Sequence, residues 1–282
     1  MTRRPAVTLM EVLIAMFIMA IGMMALLALF PVGAVSMAQA LKDDRCAYAS
    51  YIAENVAIAN NLRYGDSLVN AVLNNAAGTG LVYVDAYAAQ QATVQPALST
   101  VGGSLIQRVS PSFALTPVLA DRWLSLPDDI TFYQSGYPDV TSGFIDRGRR
   151  YSIAYLLRRQ VPASVNPNPV PVQLYAVVYA GRPINSLATT TTEWPLILTV
   201  PGTAGANSVQ INGVGTTLKR GGWILEPANG YFYRVTNLAE NNLLGTTTVE
   251  IQQNLVGVLP ITTVIAMDYV AEVFDKGFGW QQ

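Results

Sequence analysis

From Val12 to Val35 the chain runs for 24 residues without a single charge. At ~1.5 Å of rise per helical residue, such a run covers the ~30 Å hydrocarbon core of a bilayer. Arg3 and Arg4 precede it. Basic residues on that side keep the N-terminus cytoplasmic and send the rest of the chain outward. A carboxylate, Glu11, stands at the very edge of the run.

A conventional secretory signal has an apolar stretch of only about 7–15 residues followed by a small-x-small cleavage site. Ala38-Gln39-Ala40 offers such a site, but the apolar run is too long. A plain membrane anchor fits the length and the flanks. It leaves Glu11 unexplained, because a carboxylate near a bilayer is costly and usually functional.

The segment Val7-Thr8-Leu9-Met10-Glu11-Val12-Leu13-Ile14 resembles the processing and assembly signature of type IV prepilins and type II secretion pseudopilins. In that family a short basic leader ends in a small residue, and the new N-terminus lies four positions before a glutamate. The resemblance places the leader at residues 1–6, cleavage between Ala6 and Val7, N-methylation on Val7, and the assembly glutamate at Glu11. The family's leader usually ends in Gly and its mature chain usually starts with Phe; here Ala6 and Val7 stand instead. The resemblance covers the first tenth to fifth of the chain. It implies a pilin-type stalk over 7–65, spanning the membrane at about 12–35, then a pilus or pseudopilus location after the inner membrane. The implied partners are other pilin or pseudopilin subunits, a prepilin peptidase and the assembly platform. A buried carboxylate needs a cation, and the freed Val7 amine of the same or a neighbouring subunit would supply one. Glu11 then sets the register between packed helices.

Beyond Val35 the pattern turns amphipathic. Met37, Leu41, Tyr48, Ile52, Val56 and Ala59 recur at helical spacings, which predicts one apolar face. Arg63 and Gly65 read as a last turn and a stop, so one helix is expected from about Thr8 to about Arg63. Pro31 and Gly33 mark an expected kink, since proline removes one helical hydrogen bond.

After Gly65 the periodicity becomes that of strands. Leu81–Val84, Ile130–Tyr133, Tyr151–Arg159, Val172–Tyr179, Leu196–Val200, Ser208–Ile211, Trp223–Leu225, Tyr231–Val235, Thr247–Ile251 and Val264–Val270 are the candidates. The expected class is α+β: a long N-terminal helix, transmembrane and then amphipathic, packed on a mostly antiparallel β head as in pilins. The head divides into 66–185 and a second β unit or extension over 186–282. The strands around Tyr151 and Leu174 are expected to cover the helix near Tyr48–Val56.

Composition bounds the function. Histidine is absent, which excludes serine–histidine and cysteine–histidine catalysis and removes the commonest metal ligand. The single cysteine, Cys46, forms no disulfide within the chain. Apolar residues make up 51 % and charged residues 12 %, against about 25 % charged in ordinary soluble domains. The formal net charge of −1 generates no global field for nucleic acid, so nucleic acid is not an expected partner. Arg147, Arg149, Arg150, Arg158 and Arg159 form the densest basic cluster. Asp128 and Asp129 are calcium candidates whose spacing matches no calcium loop, and no cofactor is expected. The leading expectation is a non-enzymatic structural subunit. The alternative is a membrane-anchored extracytoplasmic binding protein that joins no fibre.

Overall fold

The computed structural model describes residues 9–73, 80–85, 106–115, 119, 123–126, 151–160, 171–181, 196–199, 207–212, 218–227, 229–256 and 263–279. The chain forms two compact units, Met1–Ala47 and Tyr48–Gln282. In the first unit every described residue belongs to helix α1 (Leu9–Ala59), which continues into the second.

The end of α1 is built by backbone geometry. Asn61 takes a positive φ of 46°. Its amide donates to the Ile58 carbonyl at 3.0 Å, and the Leu62 amide donates to the Ala57 carbonyl at 2.9 Å. These two bonds are a Schellman motif with Asn61 in the left-handed position. Leu62 is buried behind it. The helix therefore stops at Asn61, and the expected stop at Gly65 lies one turn late. Asp66 caps the short helix α2 (Ser67–Leu73). Its Oδ1 accepts the Leu68 and Val69 amides, both at 3.1 Å. Its Oδ2 accepts the Ser112 amide at 2.7 Å and the Ser112 hydroxyl at 2.8 Å.

Strands β1 (Leu81–Val84), β2 (Gln107–Val109), β3 (Tyr151–Arg159) and β4 (Val172–Ala180) lie in one sheet. Strands β5 (Leu196–Thr199), β6 (Ser208–Asn212), β7 (Trp223–Glu226), β8 (Tyr231–Asn241), β9 (Thr246–Ile251) and β10 (Thr263–Met267) make a second sheet. The last strand, β11 (Val270–Gly279), returns to the first sheet. The orders are β11-β4-β3-β1-β2 and β5-β10-β7-β8-β9-β6. Among the described pairings only β1–β2 is parallel.

The expected strand Val264–Val270 is in fact two strands in different sheets. The break falls at Asp268-Tyr269, where Tyr269 adopts φ 62°. The Tyr269 carbonyl accepts the Ala180 amide at 2.8 Å, which starts the β11–β4 ladder. The expected strand at Ile130–Tyr133 lies outside the described residues.

The first sheet is covered on both faces, so β4 is buried at every position except its last. That is why its sequence reads as a continuous apolar run rather than an alternation. One face carries Tyr83, Ala154, Leu156, Tyr175, Val177 and Tyr179, and packs with Leu225, Ile265 and Met267 of the second sheet. The opposite face holds Ile153, Tyr155 and Leu157 beside Val178, Ala176 and Leu174. There the Tyr155 hydroxyl donates to the Ala53 carbonyl at 2.9 Å. The expected cover of the helix end by these strands is thus present.

Of the expected face, Val56 is buried and Ile52 half-buried, but the rest of the buried face differs. Ala49, Ser50, Ala53, Val56 and Ala57 are buried, whereas Tyr48, Tyr51 and Ile58 are exposed. A helix lying close on a sheet selects small residues at the contact, and bulky ones are displaced to the rim.

The second sheet curls on itself. Its edge strands β5 and β6 approach each other, and β8 passes from pairing with β7 to pairing with β9 across a register shift between Val235 and Asn237. The concave side holds Val209, Ile211, Ile224, Tyr233, Val249 and Val264. The β7–β8 turn rests on the first sheet at Gly230. Its φ is 70°, and a Cβ there would lie 2.5 Å from Leu81 Cδ2.

Candidate functional site

The feature with the most functional content is the free length of α1. Every residue from Leu9 to Arg45 is exposed, including Phe30 at 80 % and Met24 at 75 %. Exposed apolar patches on ordinary monomers are far smaller. By length and composition this helix is able to cross a membrane.

Glu11 lies in the first helical turn. Ala6 and Val7, the residues of the expected cleavage, lie outside the described residues. Pro31 and Gly33 lie inside α1, which is helical through both. Pro31 has no amide to give the Leu27 carbonyl, and Ser36 Oγ donates to the Val32 carbonyl at 2.9 Å. A Cβ at Gly22 or Gly33 would meet nothing within 4 Å.

The helix end is fastened by charged and aromatic groups that sequence patterning did not single out together. Arg63 donates to the carbonyls of Val172 and Lys276, each at 3.2 Å. The Tyr64 hydroxyl donates to the Gly279 carbonyl. Lys276 Nζ donates to Glu54 Oε2 at 3.0 Å. Burial lowers the Arg63 pKa, while Tyr64, Glu54 and Asp275 pull it back up. The partners come from β4 and β11, far apart in sequence, and no local signal marks them.

The expected basic cluster does not act as one patch where it is described. Arg158 stacks over the Tyr231 ring at 4.2 Å, and Arg159, its neighbour on the strand, is buried. Successive strand residues point to opposite faces. Arg147, Arg149 and Arg150 lie outside the described residues, as do the calcium candidates Asp128 and Asp129. Among the described residues, no group of three or more His, Cys, Asp or Glu side chains is placed to hold a metal ion.

The buried carboxylates have structural work. Asp66 caps α2, as above. Asp85 Oδ2 accepts Arg108 Nε at 3.0 Å and Nη2 at 2.5 Å, with both residues buried. Glu226 Oε1 accepts Asn229 Nδ2 at 2.5 Å and its Oε2 accepts the Tyr233 hydroxyl at 3.1 Å. Burial pushes the Tyr175 hydroxyl up to about 12.

No family model matches the chain, and no curated protein or solved structure matches it either.

Proposed function

We propose that this protein is a non-enzymatic structural subunit of a type IV pilus or a type II secretion pseudopilus. The observation that carries the reading is Glu11 in the first turn of a 51-residue helix whose free length is apolar and exposed. An apolar surface of that extent requires either lipid or the like surface of neighbouring subunits. The same helix suits both, first as a single inner-membrane span with the head outside, then as the core of a fibre. Leaving the bilayer places the Glu11 carboxylate among packed helices, where a cation from the Val7 amine offsets its burial. A mostly antiparallel sheet covering the helix end supports the same reading, since the pilin resemblance implies that layout.

The test is the intact mass of the protein recovered from its native membrane. The expected product lacks Met1–Ala6 and carries a methyl group on Val7. A full-length N-terminus, or one generated after Ala40, overturns the proposal.

A further inference from the structure

Glu226 ends β7 and is only 1 % exposed. It leads into the turn that lays Gly230 against Leu81 and Leu156 of the first sheet. The Tyr233 hydroxyl has more acceptors than protons. It lies 3.1 Å from Glu226 Oε2 and 3.2 Å from the Val256 carbonyl, and it accepts the Val256 amide at 3.0 Å. A phenol has one proton, so it donates to one of the two oxygens at a time.

We propose that Glu226 and Tyr233 form a proton switch. With Glu226 ionised, Tyr233 donates to the carboxylate; with Glu226 protonated, Tyr233 donates to the Val256 carbonyl and clamps the segment after β9. The proton comes from solvent and resides on Oε2. From there it donates to the Tyr233 oxygen, whose own proton turns to Val256. The phenol oxygen then accepts from both Oε2 and the Val256 amide, and Oε1 still accepts Asn229. Protonation thus adds one hydrogen bond and removes a buried charge.

The groups facing the carboxyl set its balance. Burial raises the Glu226 pKa most strongly; Asn229, Tyr233 and then Arg158 of β3 act to lower it, and the net shift is upward. On β8, Tyr233 itself is held protonated by burial, with Tyr231 adding to the effect. A carboxyl whose folded pKa exceeds its unfolded value binds more protons in the folded state. Its stabilisation is complete below the unfolded pKa and is lost as pH rises through the folded one.

The experiment uses the full chain in detergent micelles and compares it with Glu226→Gln, whose amide mimics the protonated carboxyl. The Glu226 contribution should raise the wild-type midpoint as pH falls through its raised folded pKa. Glu226→Gln should lack that component. An equal pH slope in the variant overturns the switch. Carbon-13 titration of the Glu226 carboxyl in the wild-type chain decides the matter if the variant does not fold. An ordinary carboxylate titration overturns the proposal. Protection of the Val256 amide, corrected for intrinsic exchange, should increase as Glu226 gains its proton. Unchanged protection overturns the clamp.

Discussion

The Tyr155 hydroxyl donates to the Ala53 carbonyl at 2.9 Å, from the centre of the first sheet to the backbone of the helix end. Tyr155 is completely buried, and desolvation raises its pKa far above the ordinary tyrosine value. The bond requires a small residue at 53, because a carbonyl flanked by a bulky side chain could not be reached across the layer. Tyr155→Phe keeps the ring and removes only the hydroxyl. It should lower stability by about 1 kcal/mol, read as a shifted denaturant midpoint. Ala53→Leu should cost more, about 1–3 kcal/mol, by overpacking the same contact.

Asn61 holds the left-handed position that ends α1. Asn61→Ala should destabilise by roughly 1 kcal/mol, because a Cβ is disfavoured there and Asn tolerates it better. Asn61→Gly should be neutral or stabilising. Thermal unfolding of the two variants distinguishes this backbone effect from loss of a side-chain contact, for which both would destabilise.

Gly230→Ala combines a strained φ of 70° with a Cβ placed 2.5 Å from Leu81 Cδ2. Leu81 is itself buried and has little room to yield. The expected cost is about 1–3 kcal/mol, and Leu81→Ala in the same chain should recover part of it. A double-mutant cycle measures that recovery.

Two ion pairs should behave differently. The Lys276–Glu54 pair has Glu54 43 % exposed, so Lys276→Ala should cost about 0.2–1 kcal/mol and less in high salt. Asp85 and Arg108 are both buried. Asp85→Ala leaves the guanidinium without its carboxylate and should cost about 3–5 kcal/mol, with little dependence on salt. Urea midpoints at low and high ionic strength separate the two cases.

Glu11→Leu tests the proposed register role. The substitution makes the helix more apolar, so membrane insertion should be unchanged in a carbonate-extraction assay. Incorporation into fibres should fall by about tenfold or more if one buried ion pair is lost, since 1.4 kcal/mol is a factor of ten. Wild-type incorporation would argue against a register function.

Several parts of this fold were legible because local pattern and burial agree. The uncharged run from Val12 to Val35 forms helix throughout, and β3 and β4 appear where continuous apolar residues place them. The short β2 was not legible, since Gln107 and Arg108 carry no strand signature of their own. It exists by pairing in parallel with β1 and by the Arg108–Asp85 contact. The helix face was misphased for a related reason. Patterning weighs bulk, whereas the sheet selected Ala49, Ala53 and Ala57.

The sequence by itself determined the long apolar helix, the carboxylate at its start and the strand-rich head, because each is a property of neighbouring residues. Tertiary structure alone decided that Tyr269 turns the chain out of the curled sheet, so that β11 returns to β4. It alone brought Lys276 and Gly279 to Glu54, Arg63 and Tyr64. These contacts join residues more than two hundred positions apart. Only closure of the whole chain, driven by burial of both sheet faces, brings them within hydrogen-bonding distance.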